Sequence, residues 1–147
     1  LIRLGLLVLL IQIIYGAFVA GLDAGFIHNS WPLMNEGKLI HETVYIEQTP
    51  VIKNFFEGKS GVQFVHRILA FIVVAFILTI WFNAKKMTIT AYQLKGINAL
   101  LVLVGLQFLL GVLTLIYAVP VWLGVAHQVG AFFLLTAMTF TLHRFTK

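Results

Sequence analysis

VQFVHRILAFIVVAFILTIWF, residues 62–82, is the stretch that decides the fold. It is a long apolar run of about the 20 residues that a helix needs to cross a bilayer. It also carries a histidine near one end, His66, followed at once by Arg67. Working outward, three more runs of similar length appear: Leu4 to Asp23, Leu94 to Tyr117 and Val121 to Leu142. None alternates apolar and polar residues with period two, which argues against barrel strands. Only helices and closed barrels satisfy their backbone in lipid. The expectation is an all-α protein: one domain over residues 1–147, a transmembrane four-helix bundle running up and down, with a long outer loop between the first two spans.

Composition agrees. Of the 147 residues, 61% are hydrophobic and 10% charged, against about 25% charged in a soluble domain. There is no cysteine, which excludes disulfides, thiolate metal sites and thiol nucleophiles. The net charge of +5 does not point to nucleic acid, because the charges flank apolar runs instead of forming a basic face. The chain opens on Leu1 and enters an apolar run at once, with no separate signal peptide. A start in mid-helix is what a fragment of a longer protein would show.

The connections predict orientation. Lys85, Lys86 and Lys95 lie between the second and third spans, Arg3 at the start, and Arg144 and Lys147 at the end. The segment Ala24 to Gly61 balances Lys38, Lys53 and Lys59 with Glu36, Glu42, Glu47 and Glu57, and the Ala118-Val119-Pro120 turn has no charge. Positive charge stays inside, so both termini are expected on the cytoplasmic side, or the matrix side in a mitochondrion. The long segment is expected outside, as a cap with short amphipathic helices around Trp31-Pro32 and Ile52 to Phe56. A flexible loop is the plainer alternative. Tyr15, Trp81, Tyr117 and Trp122 read as interfacial or core aromatics.

On this topology the second and fourth spans run the same way. His66 lies about five residues into one and His127 about six into the other, so both sit roughly 8–9 Å below the outer edge. An intramembrane ionisable residue is a functional candidate by default; a histidine bonding a neighbouring helix is the plainer alternative. Two imidazoles fall short of the ligands zinc requires. They do fill both axial positions of a haem iron, and a six-coordinate iron favours electron transfer. Gly16 and Gly111, each about seven residues below the outer end, occur in one pattern, Gln12-x-x-x-Gly16 and Gln107-x-x-x-Gly111. Small residues admit a close neighbour or a flat macrocycle, and the repeated pattern hints at a duplicated hairpin. Arg67 is placed to pair with haem propionates or to snorkel to headgroups. Gln63, one turn before His66, is placed to bond its ring or the haem edge. His28, His41 and His143 are isolated and are expected to be solvated.

These residues form blocks that resemble a known family. Gly16-Ala-Phe-Val-Ala-Gly-Leu-Asp-Ala-Gly25, Asn29-Ser-Trp-Pro-Leu-Met34, Val62-Gln-Phe-Val-His-Arg67, Leu106-Gln107 with Gly111 to Leu115, and Ala126-His-Gln128 are similar to the C-terminal half of haem A synthase. The resemblance implies one half of an eight-helix protein with a histidine pair in each half. The N-terminal half would oxidise a ring methyl of haem O to the formyl of haem A. The C-terminal half would hold a haem b, with iron ligands at His66 and His127. The catalytic half of that family typically has Glu three residues before its first ligand histidine; Gln63 stands there here, as the haem b half requires. The alternatives are a free-standing bis-histidine membrane cytochrome b, which carries electrons without converting haem, and a haem-free structural partner.

Overall fold

The computed structural model describes residues 1–146. Four helices are long and apolar enough to cross a membrane, and the chain is an integral membrane protein. They are α1 (Ile2–Gly21), α4 (Lys59–Ala84), α5 (Ala91–Ile116) and α6 (Val121–Thr146), with the short α2 (Thr43–Ile46) and α3 (Asn54–Glu57) between the first two. There is no strand among the described residues. Each long helix packs on the next, and α1 on α6 closes the ring.

The helices overrun the apolar runs because polar residues start and end them. Thr90 begins α5 with a capping box: its hydroxyl accepts from the Gln93 amide N–H at 3.3 Å, and the Gln93 side chain accepts from the Thr90 N–H at 2.9 Å. The Ser60 N–H in the first turn of α4 donates to the Glu47 carboxylate at 3.2 Å. At 1.5 Å per residue a 26-residue helix is about 39 Å long, so its ends protrude beyond a hydrocarbon core of about 30 Å.

The close-packed core lies in the half of the bundle away from residues 22–58. Leu9 from α1 meets Val73 and Ile77 from α4, Leu100 and Val104 from α5, and Leu134 and Met138 from α6. Threonines inside the helices are satisfied locally. The hydroxyls of Thr79, Thr114, Thr136, Thr139 and Thr141 each donate to the carbonyl four residues earlier, at 2.7–2.9 Å.

Residues 22–58 fold into a cap. Its centre is Asn54, fully buried. The Asn54 amide donates to the carbonyls of Tyr45, Gln48 and Val51 at 3.1, 3.1 and 2.9 Å, and its oxygen accepts from the Gln48 N–H at 2.7 Å. The cap also reaches the turn between α5 and α6. Asn29 donates to the Leu115 carbonyl at 2.8 Å, supplying a partner to an end-of-helix acceptor. Gly25 lies so close to Val119 that a Cβ there would come within 2.7 Å of Val119 Cγ2. Val119 itself has φ 56°, rare for a β-branched residue. The cap and the 118–120 turn therefore share one end of the bundle, from which both α4 and α6 start.

Candidate functional site

Just below the cap the packing changes. The last buried residue of α1 is Leu9 and of α5 is Val104; α4 has none between Gln63 and Val73, and α6 none between Leu123 and Leu134. All four helices thus pass through one layer, nearer the cap than the core, where no residue is fully buried. His66, His127, Gly16 and Gly111 lie in that layer.

Each histidine faces the glycine of a neighbouring helix. A Cβ on Gly16 would lie 3.3 Å from His66 Cε1, and a Cβ on Gly111 would lie 2.9 Å from His127 Cε1. In both rings Nδ1 is buried without a hydrogen-bond partner. Leaving a buried nitrogen unpaired costs about 1–3 kcal/mol. The same unpaired nitrogen recurs on two helices of one layer. Two glutamines complete the arrangement. Gln12 Nε2 lies 3.5 Å from His66 Nε2, and Gln107 Nε2 donates to the His127 carbonyl at 2.9 Å. The side-chain oxygens of both glutamines are also buried and unpaired. Among the described residues no group of three or more His, Asp or Glu is placed to hold a metal ion. The donor set here is two imidazoles beside two glycines in one layer. That set fits a flat macrocycle with two axial ligands and does not fit a zinc ion.

Gln63 and Arg67 turn toward the cap. The Gln63 amide donates to the carbonyls of Ala24, at 2.9 Å, and Ile27, while its oxygen accepts from Arg67 at 3.2 Å. The amide of Gln63 is thus taken up by the cap, not by the His66 ring. The Arg67 guanidinium donates to the carbonyls of Ser30, at 3.0 Å, and His28; its Nε is buried without a partner. Three acceptors on one guanidinium neutralise much of the cost of holding it at the end of a membrane helix.

The cap also corrects one expectation. His28 and His41 are not solvated, isolated residues. Their rings lie 4.7 Å apart, tilted by 47°, and His28 is only 7% exposed. His28 Nε2 lies 3.0 Å from Ser60 Oγ and 3.2 Å from Thr43 Oγ1, and Ser60 Oγ donates to Glu47. His41 Nδ1 lies 2.9 Å from the same Thr43 hydroxyl, and His41 Nε2 lies 3.7 Å from exposed Glu36. Burial first, then the charges of His41 and Arg67, holds the His28 imidazole below its usual pKa; Glu47 and Glu36 oppose this in part. No sequence motif announces the cluster, because its members come from three separate stretches of the chain.

The comparisons with known proteins agree over nearly the whole chain. The family model COX15-CtaA, described as cytochrome oxidase assembly protein, matches residues 1–139. The chain is 63% identical to the haem A synthase of Flavobacterium johnsoniae over 99% of its own length and 42% of that protein's. It is 54% identical to the haem A synthase of Flavobacterium psychrophilum, covering 99% of this chain and 43% of that one. It is 39% identical to the haem A synthase of Wolbachia pipientis over 88% of this chain and 34% of that one. The chain therefore spans less than half the length of these curated relatives. No solved structure gives a significant match.

Proposed function

The chain belongs to the COX15-CtaA family of cytochrome oxidase assembly proteins, and from that premise we propose that it is the haem b-binding, electron-transferring half of a membrane haem A synthase. The observation that carries this reading is the layer with its two imidazoles, each holding a buried, unpaired Nδ1 beside a glycine. His66 and His127 would hold the haem iron. Gly16 and Gly111 leave room for the ring beside each imidazole. Gln107 fixes the backbone of His127 through its carbonyl, and Gln12 lies beside the His66 ring. Arg67 keeps a positive charge at the cap end of the layer and would pair with propionates there; its Nε has no partner within the protein. Gln63 ties Arg67 and α4 to the cap. Haem b supplies one-electron exchange when bound.

The partner is the N-terminal half of the same protein, which oxidises the methyl group of haem O to the formyl of haem A. This half lacks the acid that such work needs. Gln63 cannot exchange protons, and α4, α5 and α6 contain no carboxylate between the third residue of each and its end. The bilayer is the cytoplasmic membrane of a bacterium or the inner mitochondrial membrane, with both termini on the cytoplasmic or matrix side, following the lysine and arginine bias.

Reduced-minus-oxidised spectra of the purified chain test the ligands. The wild type should show a low-spin haem b, and His66→Ala or His127→Ala should abolish it; a wild-type spectrum in either variant overturns the assignment. A second measurement tests the division of labour. The chain alone, supplied with haem O, should yield no haem A above a protein-free control when the haems are extracted and chromatographed.

A further inference from the structure

The block Asn29-Ser-Trp-Pro-Leu-Met34 supplies no ligand to the histidine layer, yet the fold ties it to two spans at once. Asn29 holds the end of α5 through the Leu115 carbonyl at 2.8 Å. Arg67 of α4 holds the carbonyls of His28 and of Ser30, the latter at 3.0 Å. Met34 is fully buried and anchors the far side of the block. Between these ties, Ser30 Oγ donates to the Leu33 carbonyl at 2.9 Å and closes a turn that carries Trp31. The Trp31 ring meets Phe108 of α5 edge-on, with centroids 6.3 Å apart, and Phe108 meets Phe71 of α4 at 5.2 Å.

These three rings stand where the α4–α5 seam passes the histidine layer. Phe108 is one turn from Gly111 on the same face of α5, and Phe71 is one turn from Arg67 on the same face of α4. Farther from the cap the two helices are closed by the core, which begins at Val73 and Val104, and by the Trp81–Asn98 hydrogen bond at 3.1 Å. Residues 85–90 join them at that end, so their cap ends are the free ends of the pair. Toward the cap, α5 has no fully buried residue after Val104, and α4 has none between Val73 and Gln63. There the rings bridge the seam, and Trp31 and Phe71 are 42% and 47% exposed. The α1–α4 and α5–α6 seams are filled in this layer by the histidine rings themselves, each against a glycine. From this geometry we propose that Trp31 is the gate of the layer: it plugs the cap end of the α4–α5 seam and swings aside to admit haem from the bilayer.

The seam suits that cargo. A tetrapyrrole is flat and largely apolar, with carboxylates at one edge. The seam offers aromatic side chains along its length and the Arg67 guanidinium, with its unpaired Nε, at its cap end. Edge-to-face pairs are individually weak, so the turn bearing Trp31 moves without parting the core below it. The gate rests on the haem b reading and adds to it the route by which the site is filled.

Haem exchange tests it. The purified chain in nanodiscs is loaded with haem b, and loss to excess apomyoglobin is followed by absorbance; uptake is followed by mixing the haem-free chain with haem. A gate sits on the barrier shared by both directions. Trp31→Ala should therefore raise uptake and loss alike, each at least about tenfold, with equilibrium affinity and the low-spin spectrum nearly unchanged. Trp31→Phe keeps a ring in the seam and should stay within about threefold of the wild type. Trp122→Ala removes a 70%-exposed tryptophan at the same end of the bundle, on α6, and should change neither rate. Unchanged rates in Trp31→Ala overturn the proposal. So does faster loss without faster uptake, which marks a packing role alone, or equal acceleration by Trp122→Ala. Should Trp31→Ala lose its helical circular dichroism, Trp31→Leu replaces it under the same two-rate criterion. A wild type that takes up no haem b overturns the haem reading and the gate with it; a wild type that takes up haem b, with exchange indifferent to residue 31, overturns the gate alone.

Discussion

The α1–α4 pair and the α5–α6 pair present the same three residue types in the same layer and use them differently. In each, one helix offers Gln-x-x-x-Gly and the other a histidine whose ring faces that glycine. In the first pair Gln12 approaches the imidazole itself, at the 3.5 Å limit of a hydrogen bond. In the second, Gln107 holds the His127 carbonyl at 2.9 Å and leaves the ring to pack more tightly on its glycine. The connections differ as well: 37 residues of cap join α1 to α4, whereas Tyr117 to Pro120 suffices between α5 and α6. Two similar hairpins have thus been given different jobs, one tied to a cap and one to a tight turn.

The largest expected effect breaks both pairs alike. On the proposed ligand assignment, His66→Ala and His127→Ala should remove the haem spectrum to the same extent; a large residual signal in only one variant would mean that the pairs are not equivalent. The next separates them. Gly111→Ala puts a Cβ within 2.9 Å of the His127 ring and should cost about 1–3 kcal/mol in thermal unfolding. Gly16→Ala meets His66 at 3.3 Å, and a helix-propensity gain of about 1 kcal/mol offsets the crowding, so its melting temperature should stay close to that of the wild type. A smaller effect follows from the glutamines. Gln107→Leu removes a hydrogen bond and should cost about 0.5–1.5 kcal/mol, while Gln12→Leu should cost less; equal losses would show that Gln12 holds its ring as firmly as Gln107 holds its backbone.

The smallest concerns pH and only the capped pair. His28 has a lowered pKa in the fold, so the unfolded cap binds a proton more readily. Stability contributed by neutral His28 is whole above about pH 6.5 and declines as pH falls through that value toward the folded pKa. Limited proteolysis within residues 22–58 should therefore quicken between pH 7.5 and 5.5 while the Tyr117–Pro120 turn is unaffected.

The four spans were legible because apolar runs of this length have one physical solution in lipid. Their ends were not: Lys59, Ala91 and Thr146 lie beyond the apolar residues, and capping by Thr90 and Gln93 and by the distant Glu47 extends the helices there. The histidine–glycine layer was legible through matched offsets along each span, and the structure places each ring against a glycine of the predicted pair. The uses of Gln63 and Arg67 were hidden because their acceptors lie 36–39 residues away in a segment without periodicity. The partners of His28 are hidden for the same reason. A histidine flanked by Ile27 and Asn29 looks solitary until the chain brings Thr43 and Ser60 to it.

The threonine hydroxyls bonded to their own helix bear on how the protein enters its membrane. Of the four spans α6 is the least apolar, partly because it carries Thr136, Thr139, Thr141 and Thr146. A translocon partitions a segment by what its side chains cost in lipid. Hydroxyls that already donate to the preceding turn cost less than their composition suggests, but only once the helix is wound. Insertion of α6 is thereby coupled to its helix formation. The short turn after α5 delivers it beside a strongly apolar helix against which it packs, so the second pair is built to enter the bilayer as a hairpin.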